Sequence, residues 1–126
     1  MKEQERLMVA VLILMVAVFF GSWPAIASAQ RLDVELDQWT LGFEQAEFAA
    51  GRLEIWVVNN GRMPHNLRID WEDSAGYAYA VETPVLQSGE SYRLILALAE
   101  GTYNAWCLIP GHADLGMHGV IRISSH

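Results

Sequence analysis

Leu32, Val34 and Leu36 alternate with Asp33, Glu35 and Asp37 early in the polar part of the chain. A period of two is that of a strand with one buried and one wet face. The pattern recurs downstream. In EFAAGRLEIWVVNNG a turn falls at Gly51, a β-rich run follows from Leu53 to Val58, and Asn59-Asn60-Gly61 ends it with turn-forming residues. NLRIDW (66–71), SYRLILAL up to Glu100-Gly101, TYNAWC and GVIRI (119–123) read as further short strands. Glu72 to Ala80 is polar and contains glycine, which predicts a connection or an irregular edge. About seven or eight short strands at this spacing predict an all-β antiparallel sandwich. After residue 30 a helix has room to form only within 42–50 or 72–82.

Before residue 30 the period disappears. Leu7 to Trp23 is a run of seventeen residues without a charge, and Ala27-Ser28-Ala29 follows as a small-x-small cleavage pattern. Residues 1–29 therefore read as an export signal cut after Ala29, leaving 30–126 as one domain. An uncleaved membrane anchor is the alternative: Glu3 and Glu5 offset Lys2 and Arg6, and the run is long for a signal core. Either version puts the domain outside the cytoplasm, periplasmic or otherwise extracytoplasmic, soluble or held to a membrane by its N-terminus.

Charge narrows the partners. A formal net charge of −7 argues against nucleic acid, whose phosphates need a basic footprint. The single cysteine, Cys107, excludes an internal disulfide. A lone thiol in an exported protein is either a small buried hydrophobe or a group with chemistry to do.

Its neighbours favour chemistry. CLIPGHADLGMH, residues 107–118, places Cys107, His112 and Met117 in a C-x4-H-x4-M array between two strands. A thiolate, imidazoles and a weak thioether suit copper, and His2Cys with a distant Met is the donor set of a blue-copper site. The second imidazole has to come from elsewhere. His65, in NNGRMPHN between two predicted strands, is the candidate, because a sandwich can bring that connection beside the 107–117 loop. Zinc competes for a Cys and two His, but Met is a poor zinc ligand and structural zinc sites usually carry more cysteines.

VVNNGRMPHNL followed by GTYNAWCLIPGHADLGMHGVIRI resembles the cupredoxins, the small blue copper proteins of the plastocyanin/azurin superfamily, over most of residues 31–126. The ligand-loop spacing looks most like that of rusticyanin and sulfocyanin. The resemblance implies a Greek-key antiparallel β-sandwich and one type 1 copper per chain. It also implies His65, Cys107 and His112 as equatorial ligands, Met117 as the axial ligand, and Asn66 as a hydrogen-bonding link between the two ligand loops. Two departures leave the subfamily open: Ala105 stands where a larger aromatic is common, and the azurin disulfide is absent.

Other residues take plainer roles. Pro110-Gly111 is a turn that aims His112. Met63 packs at the rim, His118 faces away from Met117, and Tyr103 belongs to the core or a corner. Function then reads as one-electron transfer between Cu(I) and Cu(II), with a redox donor and acceptor (a cytochrome, oxidase or reductase) meeting the protein transiently. The chain has no His-x-His pair for further coppers, so substrate turnover is not expected. Two contact surfaces are expected. One is an apolar collar of Met63, Pro64, Leu108, Ile109, Pro110 and Leu115 around an exposed edge of His112. The other is Trp106, next to Cys107, with Asp70, Glu72 and Asp73 as an acidic surface. A copper-binding or delivery protein without a redox role, and a structural sandwich module, are the competing readings.

Overall fold

A computed structural model describes residues 29–125; the apolar N-terminal run read as a signal or anchor lies outside them. Eight strands follow in order: β1 (Gln30–Leu36), β2 (Gln45–Ala49), β3 (Gly51–Asn59), β4 (Arg68–Glu72), β5 (Ala78–Glu82), β6 (Ser91–Leu98), β7 (Gly101–Trp106) and β8 (His118–Ser124). They form a three-stranded sheet, β1-β3-β6, and a five-stranded sheet, β2-β8-β7-β4-β5.

The alternation sorts residues between faces. Leu32, Val34 and Leu36 of β1 are buried with Leu53, Ile55 and Val57 of β3. Ile69, Tyr103, Ala105, Ile121 and Ile123 join them in the same cluster from the other sheet. Each large aliphatic side chain buried here stabilises the fold by about 1.5–3 kcal/mol. Tyr103 is a corner residue: its hydroxyl donates to Ala99 O at 2.7 Å, closing the turn between β6 and β7.

The expectation of antiparallel strands holds for four of the six pairings; β1–β3 and β2–β8 run parallel. The cause is the path of the chain. After β1 the chain leaves the first sheet to form the edge strand β2 of the second, and β3 returns alongside β1, so a crossover joins β1 to β3. Neither stretch open to a helix forms one. Residues 45–49 are β2, with Ala46 and Phe48 packed on the core, and 78–82 are the edge strand β5. The ladder to β8 and the burial of Phe48 override the helix-favouring Glu, Gln and Ala of this stretch.

Candidate metal centre

Three segments converge at one end of the sandwich: the turn after β1, the loop from β3 to β4, and the loop from β7 to β8. Asn59 shapes the second. It is fully buried, donates from Nδ2 to Met63 O (2.9 Å) and Leu86 O (2.8 Å), and accepts the Gly61 N–H (2.9 Å). His65 then pairs with Leu86 through both backbone groups, at 3.1 and 2.7 Å. A buried imidazole is thereby fixed at its own Cα.

The third segment is a run of turns. Ile109 O accepts the His112 N–H at 3.0 Å across Pro110-Gly111. Gly111 has φ +83°, which suits the third position of a type II turn, with proline at the second. Met117 O accepts the Cys107 N–H at 3.1 Å, and Met117 N donates to His112 O at 3.2 Å. These bonds tie the backbones of Cys107, His112 and Met117 together. Asn66 joins the two loops: its Oδ1 accepts Leu108 N–H at 2.9 Å and lies 3.5 Å from Cys107 Sγ.

One donor atom from each of His65, Cys107 and His112 falls within 4.8 Å of the others, and all three residues are buried. His65 Nδ1 and His112 Nδ1 are 3.1 Å apart, and Cys107 Sγ is 3.7 Å from His112 Nδ1. Met117 is fully buried. The donor chemistry fits a metal ion. His65 Nε2 lies 2.9 Å from Gln38 Oε1, which also accepts backbone N–H groups from Arg62 and Met63. An amide oxygen only accepts, so the His65 proton sits on Nε2 and its Nδ1 lone pair points inward. Burial lowers the His65 pKa, nearby His112 lowers it further, and Asp37 opposes both. A neutral imidazole, the form that binds metals, is favoured.

The sequence placed His65, Cys107, His112 and Met117 at one site; the donor atoms of His65, Cys107 and His112 gather there, and Met117 is buried with its backbone bonded to those of Cys107 and His112. It did not find Gln38 or Trp39, which come from the turn after β1. Trp39 packs edge-on against both imidazoles, with ring centroids 4.8 Å from His112 and 6.4 Å from His65. The expected exposed edge of His112 is therefore corrected: the residue is 4% exposed, with Trp39 packed against its ring. Nothing in the hydrophobic pattern marks a turn tryptophan as a lid. Of the expected collar residues, Met63 and Leu115 are exposed, Pro64 and Pro110 lie at the surface, and Leu108 and Ile109 are half-buried. His118 is exposed and lies opposite Trp106 in the β7–β8 ladder.

Trp106 is half-buried rather than free. Its Nε1 donates to Asp70 Oδ2 at 2.5 Å, and the Arg68 guanidinium lies 5.8 Å from its ring centre. Asp73 is also engaged. Its carboxylate accepts the Ala75 and Tyr77 N–H groups at 2.9 Å each, and hydrogen bonding, chiefly from Tyr77, holds its pKa below the ordinary value. Of the three acids expected to form a docking surface, only Glu72 is exposed.

The sequence profile of copper-binding proteins of the plastocyanin/azurin family matches residues 30–124. No curated protein sequence matches the chain. Among solved structures, reduced auracyanin from the photosynthetic bacterium Roseiflexus castenholzii superposes with a TM-score of 0.65 at 18% identity, covering 78% of this chain and 99% of that one. Auracyanin A, a "blue" copper protein of Chloroflexus aurantiacus, gives 0.63 at 18% identity, covering 77% and 100%. A Cu(I) amicyanin mutant gives 0.56 at 18% identity, covering 75% and 82%. At these identities the structures speak for the fold.

Proposed function

The chain belongs to the plastocyanin/azurin family of copper-binding proteins, and from that premise we propose that it is a one-electron carrier working between redox partners outside the cytoplasm. The observation that carries this reading is the buried convergence of His65, Cys107 and His112 donors within 4.8 Å. Copper, when bound, supplies the Cu(I)/Cu(II) couple. The residues that would hold it are His65, Cys107 and His112 as the three strong ligands and Met117 as a weak fourth.

A carrier works best when its ligands move little between oxidation states. The bonds between the 107–117 backbone groups, the His65–Leu86 pairing and the Asn66 link all restrain the ligand residues. Pro110 contributes by narrowing the turn that presents His112. This closed, buried arrangement supports a permanent metal. It argues against a delivery protein, whose site must open to hand over its ion.

Electrons would pass at two places. One is an apolar collar of Met63, Pro64, Leu108, Ile109, Pro110 and Leu115 on the two ligand loops, beside Trp39, which packs against both imidazoles. Transient redox encounters use interfaces below about 1,200 Å², so such a patch is large enough. Trp106, covalently next to Cys107, offers the second route. Donor and acceptor are redox proteins such as a cytochrome, oxidase or reductase. Residues 1–29 serve as the export signal or anchor, and 30–126 as the working domain.

The test is direct. Cu(II) added to the purified domain is expected to give intense visible thiolate-to-copper absorption that bleaches and returns on cyclic reduction and oxidation. A colourless protein overturns the blue-copper reading. A coloured protein that cannot be reduced reversibly overturns the carrier role.

A further inference from the structure

Gln38 Oε1 serves three donors on one short segment: His65 Nε2 at 2.9 Å, Arg62 N at 3.0 Å and Met63 N at 3.4 Å. The turn that presents Gln38 is closed on itself by Asp37 N to Thr40 O (3.1 Å) and Thr40 N to Asp37 O (2.9 Å). It is also anchored beside its target, since Leu36 O accepts the N–H groups of both Asn60 and Gly61. Gln38 therefore reaches His65 from a stiff base.

Gly61 makes the reach feasible. A Cβ at this position would overlap Gln38 Oε1 and come within 2.8 Å of His65 Nε2. Gly61 is not one of the positive-φ glycines. Its backbone does not demand glycine; the space does.

We propose that Gln38 and Gly61 form one positioning device for the metal site. Gly61 leaves the space through which the Gln38 oxygen reaches His65 Nε2, and that bond turns Nδ1 of the ring toward Cys107 and His112. An imidazole with no partner on its outer nitrogen can rotate or change tautomer, and either removes a lone pair from the site. The amide does this without adding charge. A carboxylate at the same place would accept the same three N–H groups and bring a negative charge to the outer edge of a ligand. This inference rests on the copper reading given above.

The test uses Gln38→Leu, Gln38→Glu, Gly61→Ala and the Gln38→Leu/Gly61→Ala double variant. Zn(II) affinity is measured by competition titration, the reduction potential on the copper form, and the His65 ring protons by nitrogen NMR on the zinc form. Gln38→Leu and Gly61→Ala should each weaken Zn(II) binding by about 10–100-fold and raise the potential. The double variant should be no weaker than the worse single, because both substitutions remove the same bond. Gln38→Glu should keep the affinity, keep the Nε2–H signal and lower the potential. If the wild type turns blue but Gln38→Leu matches it in affinity and potential, the positioning role is overturned and the copper reading stands. If Gln38→Glu fails as Gln38→Leu does, an acceptor oxygen at this position is not what holds the site, and the proposal is again overturned. A wild type that never colours overturns both. Should Gly61→Ala not fold, the two Gln38 variants decide.

Discussion

Trp39 meets His112 edge to face, with ring centroids 4.8 Å apart and planes inclined at 69°. The two belong to different segments, the turn after β1 and the loop from β7 to β8. Edge-to-face aromatic pairs add about 0.5–1.5 kcal/mol beyond the area they bury. Trp39→Ala should therefore cost about 3 kcal/mol in urea unfolding, the low end for losing a large aromatic. It should also expose His112, so that reduction of the copper form by a small inorganic reagent becomes faster. Unchanged rates would show that electrons do not enter past this edge.

The proposed ligands make separable predictions. Cys107→Ser replaces a soft thiolate by a hydroxyl and should abolish the visible absorption, because that band belongs to the sulfur–copper bond. Met117→Leu conserves volume at a fully buried position, so the fold should lose less than about 1.5 kcal/mol. Its reduction potential should nevertheless rise, since removing a weak donor costs Cu(II) more than Cu(I). A Met117→Leu protein with the wild-type potential would remove Met117 from the ligand set.

How much of this was readable in advance depends on the range of each interaction. The faces of β1 follow from a local alternation, and Leu32, Val34 and Leu36 are buried as that pattern requires. The gathering of Cys107 and His112 was legible because one loop carries them, with Met117, at regular spacing. Strand direction was not: a period of two is the same whether β3 lies parallel or antiparallel to β1. Nor was the helix-or-strand choice at 45–49, where pairing with β8 decides. Gln38 and Trp39 were missed for a related reason. Their roles exist only when the turn after β1 lands on two loops far away in sequence, and Gly61, whose missing side chain admits Gln38, looks locally like any turn glycine.

Tyr103 offers a check on the scaffold independent of metal. Its hydroxyl bonds Ala99 O at 2.7 Å, so Tyr103→Phe should cost about 1 kcal/mol in urea unfolding. Burial raises its pKa above the ordinary tyrosine value, against a smaller opposing effect of the Ala99 bond. A raised folded-state pKa means that the stability is fully present below pH about 10 and is lost as pH rises from there through the folded value. The alkaline limb of the stability profile should therefore be shallower in Tyr103→Phe. An identical limb in both proteins would place the titration elsewhere.

The acidic surface near Trp106 divides into residues with different jobs. Asp70 holds the Trp106 indole at 2.5 Å and also accepts from Asn104 Nδ2 at 3.3 Å. Asp73 caps its own turn. Asp70→Asn should therefore loosen Trp106 and perturb both stability and transfer, confounding any test of docking. Exposed Glu72 is the cleaner probe. If this face docks a basic partner, Glu72→Gln should leave the fold unchanged within about 0.5 kcal/mol and slow bimolecular electron transfer at low ionic strength. The difference should fade near 0.15 M salt, where the Debye length is about 8 Å. Transfer rates that are equal for the two proteins at every salt concentration would exclude this face as a docking surface and leave the Trp39 collar as the route for electrons.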